Sequence, residues 1–314
     1  MTGTFITSDH RTFELPPLLA WDFVRTGGVP CDSFSVTCAY GAAMAEPLHL
    51  ASGFTAEDGG ETVLRGFVDE YEARLDGGGR TVTICGRGYA GRLLDNEARP
   101  AVYQRATLAE ILRNHAAPYG ISCGGTAAIT AAAPYTVEAG ASQWTAVAEF
   151  CRAFGGFAPR FTKSGVLIAA PPGDPVRRRI TDAAGVLSLT MRENHYGVLS
   201  EALVIDKTRN AAYTVKNQDF LARGGQRRRV VYTPGKSTWR AMHYTGAYQI
   251  SRSAEDELEM EITLPGSPAA DPGDLAEVNL PEPGIRGEYR IAAVERAMDD
   301  GGEVTVLTLK KRRN

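Results

Sequence analysis

A strand, an Asp/Gly-rich turn and a second strand follow one another near each end of the chain, and this pattern constrains the fold most. In the first half, Thr62–Val68 and Tyr71–Leu75 precede the turn residues Asp76–Arg80 and the β-branched run Thr81–Cys85. Asp and Gly permit the tight backbone of a hairpin turn, whereas β-branched residues favour extended strands. The pattern predicts an antiparallel hairpin within a mainly β domain.

A second unit of the same design closes the 314-residue chain. Tyr289–Glu295 is followed by Asp299–Gly302 and then by Val304–Leu309. The residues that open the two hairpins, Leu64–Val68 and Ile285–Tyr289, are also alike. Because so short a match arises by chance about as often as by relationship, the sequence leaves open whether the two β-rich halves are related.

Residues 97–175 differ in character and predict a small α/β module. Thr107 and Glu110 form a capping box, in which each side chain satisfies a backbone donor at a helix start. The apolar residues that follow share one helical face: Leu108, Ile111 and Leu112. A second helix is predicted from Ser142, and Phe161–Ile168 has the pattern of a small hairpin.

Pro171–Pro175 is the clearest linker, because proline and glycine interrupt regular structure. Beyond it, apolar spacing predicts three strands and a helix: Val198–Ile205, Arg229–Tyr232, Glu257–Leu264 and residues 237–251. The expected organisation has three parts: a β domain at 1–96, the inserted module at 97–175 and a second β domain at 176–314. The predicted class is mainly β with an α+β insertion.

Composition is typical of a soluble globular protein, with 43% hydrophobic and 23% charged residues. The formal net charge of −3 argues against a nucleic-acid coat protein, which carries a basic excess. The cysteines are too scattered for a disulfide framework, so a reducing compartment is expected: Cys31, Cys38, Cys85, Cys123 and Cys151. Neither a signal peptide nor a membrane span is expected, because Met1–Leu19 carries charges and no uncharged apolar run approaches about 18 residues.

Two short motifs are typical of nucleotide sites but lack the surroundings that such sites need. Gly86–Gly91 matches a dinucleotide-binding pattern, yet no parallel βαβ unit follows it. Glu110, at a suggestive distance, is better explained as part of the helix cap. Pro234–Thr238 resembles the end of a phosphate loop but has Val230 where that loop requires glycine. No cofactor site is expected, and Gly86–Gly91 is predicted to lie in a turn or loop of the β domain.

Other candidate groups lack a catalytic or metal-binding arrangement. For the basic runs Arg177–Arg179 and Arg227–Arg229, solvated surface or ion pairing at a subunit contact is favoured over phosphate binding in this acidic chain. The histidines share no metal-ligand spacing: His10, His49, His115, His195 and His243. No catalytic, cofactor-binding or metal-binding residue is therefore assigned, and the chain is not expected to be an enzyme.

Tyr135–Gly140, followed by Trp144, resembles the opening of a LysM peptidoglycan-binding module. The rest of the segment departs from that pattern. Helical spacing favours a core role for Trp144 and Phe154. Binding to the bacterial cell wall is kept as the alternative function.

Several stretches, in order along the chain, resemble the phage late control gene D family, the baseplate hub proteins of Mu-like and related contractile tails. They are Pro30–Phe34, Ile84–Arg87 with Leu93–Ala98, Thr107–Gly120, and Gly287–Val294 with Val304–Leu309. The chain departs from the family at Glu295–Arg296, where many members carry histidine. No spike or lysozyme domain precedes Asn314 at the end of the sequence, so a cell-puncturing function is expected to belong to another protein.

The resemblance implies a homotrimer in which each chain contributes two tube-type β-barrel domains. Three chains would then form a ring of six barrels that joins a six-fold tail tube to a three-fold spike. The implied partners are the tail tube, spike, tape-measure and other baseplate proteins, with DNA present only in passage through the lumen and no membrane. The implied location is the baseplate of a virion tail or tailocin, after synthesis in the cytoplasm of a bacterial host.

Overall fold

The computed structural model describes residues 1–29, 31–233, 238–282 and 284–311. Strands make up 47% of the chain and helices 20%, so the predicted mainly β class is confirmed. The chain divides into two compact units. Unit 1 comprises Met1–Val176, Pro265–Pro272 and Ala293–Val306. Unit 2 comprises Arg177–Leu264, Gly273–Ala292 and the residues from Leu307 onward.

Unit 1 begins with seven strands and one short helix. They are β1 (Thr2–Thr7), β2 (Thr12–Glu14), β3 (Leu18–Arg25), β4 (Ser33–Ala39), α1 (Ala45–His49), β5 (Ala51–Asp58), β6 (Glu61–Asp76) and β7 (Gly79–Gly88). Antiparallel hydrogen bonds join the strands in the order β3, β4, β7, β6, β5, β1, β2. This order is an open path, and strand pairing closes no barrel among the described residues. The single chain thus does not reproduce the closed barrels that the resemblance implied.

The predicted hairpin at 62–85 is confirmed as β6 and β7, with Asp76 opposite Gly79 at its turn. Successive side chains of a strand point to opposite faces of its sheet. The buried residues on one face of the strands from β1 to β7 form one hydrophobic core. We call it the sheet core. At its centre the rings of Phe34 and Phe54 stack with centroids 4.0 Å apart, and both residues are buried.

Unit 1 continues with one helix before the predicted module, α2 (Ala90–Leu94), and with seven elements inside residues 97–175: β8 (Ala101–Tyr103), α3 (Leu108–His115), β9 (Cys123–Thr126), β10 (Tyr135–Val137), α4 (Gln143–Phe150), β11 (Arg160–Phe161) and β12 (Leu167–Ala169). Both predicted helix starts are confirmed. The Thr107 hydroxyl accepts a hydrogen bond from the Glu110 amide at 3.2 Å, and the Ser142 hydroxyl accepts one from the Thr145 amide at 3.1 Å. The predicted hairpin near 161–168 is confirmed as β11 and β12. Buried residues from these elements form a second hydrophobic cluster, which we call the module core.

The remaining elements are β13 (Arg177–Thr181), β14 (Ser188–Glu193), β15 (Glu201–Asp206), β16 (Ala211–Lys216), α5 (Gln218–Ala222), β17 (Arg228–Tyr232), α6 (Trp239–Ser253), β18 (Leu258–Pro265), β19 (Leu275–Leu280), β20 (Ile285–Asp299) and β21 (Gly302–Lys311). In unit 2, β14 pairs with β18, and β13 pairs in parallel with β19. A separate three-stranded sheet has the order β16, β15, β17 and packs against α6. No helix among the described residues is long and apolar enough to cross a membrane.

The closing hairpin, β20 and β21, contributes residues to both units. The first part of β20 pairs with β19, whereas Val294–Met298 pairs with Trp21–Arg25 of β3. Ala293–Val306 therefore belongs to unit 1, although the sequence placed it within 176–314. The three-part division at 96 and 175 stays a prediction.

The linker Pro171–Pro175 is exposed, and the boundary between Val176 and Arg177 lies beside it. Arg177–Arg179 lies within β13, where its backbone is paired with β19. Because an extended, unpaired backbone is cut first, proteinase K is expected to cleave at 171–175 before 81–85. Mass spectrometry of the early fragments measures this order. Initial cleavage within β7 would contradict it.

Candidate functional site

The glycine motif Gly86–Gly91 does not lie in a turn, so that part of its prediction is wrong. Gly86 and Gly88 continue β7, which pairs with β4 on one side and β6 on the other, and Gly91 lies in α2. A side chain at Gly86 would overlap the Phe67 carbonyl oxygen and lie 2.6 Å from the Phe34 ring. Close approach of neighbouring strands therefore explains Gly86.

Arg87, the second residue of this motif, is hydrogen-bonded to two aspartates. Its guanidinium donates two hydrogen bonds to Asp69, at 2.7 and 2.9 Å, and two to Asp95, at 3.0 and 2.8 Å. These bonds raise the pKa of Arg87, and the bonds from Arg87 hold the pKa of Asp95 below its ordinary value of 3.8. The group is an ion-pair network that ties β7 to β6 and to the residue after α2.

Replacing Arg87 with methionine is expected to lower the free energy of unfolding by about 1 kcal/mol at pH 7, because the network is partly exposed. The folded-state pKa of Asp95 is depressed, so its contribution is complete above pH 3.8 and is lost as pH falls through the folded value. Denaturant unfolding from pH 7 to pH 2 measures the difference, which should shrink with acid. The control Arg74→Met removes a more exposed pair with Asp76. A difference from wild type that grows with acid would contradict the network.

The two basic runs are engaged within the chain. Arg177 pairs with Glu288, Arg178 with Asp274 at 2.8 Å, and Arg179 with Glu277 at 3.3 Å. The members of the second run have separate partners: Arg227 stacks on Tyr196, Arg228 pairs with Glu201, and Arg229 donates to Gln249. Ion pairing within unit 2 thus accounts for the whole first run.

One histidine does approach potential metal ligands, which the sequence spacing did not indicate. His195, Glu193 and Glu257 place ligand atoms within 4.8 Å of one another. Arg223 already donates hydrogen bonds to both carboxylates. The group is therefore explained as an ion-pair cluster around a guanidinium. Glu257 is 62 positions from His195, so local spacing could not have revealed it.

The LysM-like segment presents no aromatic surface at its two main aromatic residues. Tyr135 and Trp144 are 7% and 6% exposed and belong to the module core. The Tyr135 hydroxyl donates to the carbonyl oxygen of Ala146 at 2.6 Å. Of the phosphate-loop-like stretch Pro234–Thr238, residues 234–237 lie outside the described residues.

Exposed aromatic side chains gather instead on α6 of unit 2. Trp239, Tyr244 and Tyr248 are each about half exposed, at 53%, 59% and 48%. Tyrosine and tryptophan present large rigid surfaces and are enriched at protein interfaces. Tyr244 and Tyr248 are four positions apart and so share one face of the helix, which is suited to a protein contact. Trp239 lies on another side of the helix, beside Tyr213.

Neither a family model nor a curated protein matches the sequence. Solved structures do match over nearly the whole chain. The prophage MuSo2 43 kDa tail protein from Shewanella oneidensis has a TM-score of 0.80 at 18% identity, covering 99% of this chain and 98% of its own. A tail protein from Neisseria meningitidis MC58 has a TM-score of 0.77 at 16% identity, covering 99% and 96%. The chain has the fold of a phage tail protein.

A third similar structure is the Escherichia coli c3393 protein, described as a component of the type VI secretion system with structural similarity to the T4 bacteriophage tail proteins gp27 and gp5. Its TM-score is 0.57 at 11% identity, and the match covers 95% of this chain and 74% of that one. The likeness to tail proteins that the sequence indicated is thus confirmed at the level of the fold.

Proposed function

We propose that this chain is a structural baseplate hub of a contractile phage tail or tailocin, with no enzymatic activity. Three copies form a ring that joins the six-fold tail tube to the three-fold spike, and the tape-measure protein and then DNA pass through its lumen. The observation that carries the proposal is the match of 99% of the chain to tail proteins at TM-scores of 0.77 and 0.80.

The open edges of the sheets support assembly with other chains. In the described residues, β2 pairs only with β1, and β14 pairs only with β18. Unpaired strand edges bind further strands readily, so natural proteins cover them or use them for docking. In the proposed ring, barrels that the single chain leaves open are completed by neighbouring subunits. With two β-rich regions per chain, three chains would present six similar β domains. The ring could then match the six-fold symmetry of the tube on one side and the three-fold symmetry of the spike on the other.

The ring is tested by analytical ultracentrifugation and electron microscopy of the purified chain, alone and with its tail tube protein. Three chains of 33.7 kDa give about 101 kDa, and class averages should show a three-fold axis with six β domains at similar radius. A stable ring of this kind buries more than about 2,000 Å² at each subunit contact. If the purified chain alone is monomeric, added tail tube protein should shift the equilibrium towards the ring by mass action. An assembly without a three-fold axis would exclude the hub.

The alternative, binding to the cell wall, has no exposed aromatic support at Tyr135 or Trp144. A pull-down on purified peptidoglycan separates the two functions. The hub should remain in the supernatant, whereas a wall-binding protein should sediment with the peptidoglycan.

A further inference from the structure

Helix α6 uses only a narrow face to pack on its sheet. Met242 and Gly246 are its buried residues. A side chain at Gly246 would overlap Val215 and lie 3.2 Å from Val204, so glycine allows the helix to approach β15 and β16 closely. The other side chains of this 15-residue helix are exposed or partly exposed to solvent.

Four residues at intervals of four form a line along the exposed face: Arg240, Tyr244, Tyr248 and Arg252. We call this line the Arg–Tyr stripe. Residues at such spacing are neighbours on a helix surface. Arg240 donates to the Tyr244 hydroxyl at 3.4 Å, and Arg252 donates to the Tyr248 hydroxyl at 3.2 Å. A guanidinium therefore lies at each end of a central pair of tyrosines.

The stability of the helix does not explain the charge of Arg240, whereas Arg252 lies in the last turn, where the helix dipole favours a cation. Trp239–Ser253 contains no acidic residue, and Arg240 lies in the first turn, where the helix dipole disfavours a cation. In the parts of the chain that the structure describes, both arginines contact tyrosines of the same helix and neither has a carboxylate partner. By contrast, each arginine of β13 has one.

We propose that the Arg–Tyr stripe is a docking surface for an acidic protein component of the same tail, an inference that rests on the proposed function. Twelve residues at 1.5 Å each separate the two arginines by about 18 Å along the axis. The matching surface has an apolar centre and a carboxylate group near each end. Tyrosine and arginine are the residues that contribute most to binding at such interfaces.

Other occupants fit the stripe less well. A second α6 packed antiparallel would place Arg240 against the other copy's Arg252, and like charges repel. Nucleic-acid binding requires cations that follow closely spaced phosphates, whereas the stripe has two cations with tyrosines between them. An acidic protein surface satisfies both the charges and the aromatic centre.

The test compares the wild-type chain with Arg240→Glu/Arg252→Glu, and with the control Arg99→Glu/Arg105→Glu, which changes the charge equally at two exposed arginines of the module. Purified tail tube protein, purified spike protein and a 30-nucleotide single-stranded DNA are titrated by calorimetry. One tail protein should bind the wild-type chain and the control with equal affinity, and should bind the stripe variant at least about 100-fold more weakly.

Unchanged binding by the stripe variant overturns the docking surface but leaves the hub intact. Binding of neither tail protein by wild type overturns both, and stripe-dependent binding of DNA alone overturns the protein partner.

The single variant Arg240→Glu separates docking from a structural role. Glutamate in the first turn suits the helix dipole, so the melting temperature should stay equal or rise. Binding of the tail protein should still weaken at least about tenfold, because the charge now repels a carboxylate. A fall in melting temperature with unchanged binding would assign Arg240 to the fold instead.

Discussion

Replacing Gly86 with alanine is expected to lower the free energy of unfolding by about 3 kcal/mol, the larger part of the stability of a marginal domain. The added methyl group would overlap the Phe67 carbonyl oxygen and the Phe34 ring. Strands β6 and β4 flank Gly86 on both sides, so the backbone cannot move away without breaking hydrogen bonds. Denaturant unfolding followed by circular dichroism measures the loss.

Gly77→Ala is the matched control, because a side chain there meets no atom within 4 Å. Its effect should stay within about 0.5 kcal/mol. A nucleotide role for Gly86 predicts a different result, in which NAD binds at micromolar concentration and alanine abolishes binding with little loss of stability. Saturable NAD binding by the wild-type chain would show that the packing explanation is incomplete.

Local signals in the sequence were enough for elements whose cause is local. The hydroxyl of Thr107 caps α3 because the Glu110 amide lies three residues away, and Ser142 caps α4 in the same way. The turn at Asp76–Gly79 required only residues that tolerate a tight backbone. These features depend only on residues that are close in sequence, so the local sequence is enough to predict them.

Local signals could not predict which strands pair when they are far apart in the sequence. Val294–Met298 pairs with β3, which is more than 250 residues earlier, and nothing in either segment specifies the other. The same limit applies to the start of the Gly86–Gly91 motif, because the extended backbone of Gly86 and Gly88 follows from the strands on both sides. It applies also to the cluster of His195 and Glu257, because only the fold brings them together. The exposure of the Arg–Tyr stripe likewise depends on which face of α6 packs on the sheet.

Phe150→Ala and Phe54→Ala should each cost about 3–5 kcal/mol, because both remove a fully buried aromatic side chain. Phe150 lies in the module core, and Phe54 lies in the sheet core. If residues 97–175 form a domain of their own, the two losses should appear in different places. Hydrogen exchange should accelerate in α3 and α4 for Phe150→Ala and in β4 and β7 for Phe54→Ala. Val102→Ala, at a 59% exposed position of the module, is the control and should change exchange little.

The pattern of exchange matters for the proposed ring because an independent module can be carried on a β framework without taking part in it. The buried residues of the sheet core lie between Phe5 and Ile84, and those of the module core lie between Ala90 and Ala169, which favours separate unfolding. A module that opens alone would leave the sheets able to keep their place among neighbouring subunits. If either substitution instead accelerates exchange equally in α3, α4, β4 and β7, the two cores unfold as one. Residues 97–175 would then be an integral layer of the β domain, and the division at 96 would have to be abandoned.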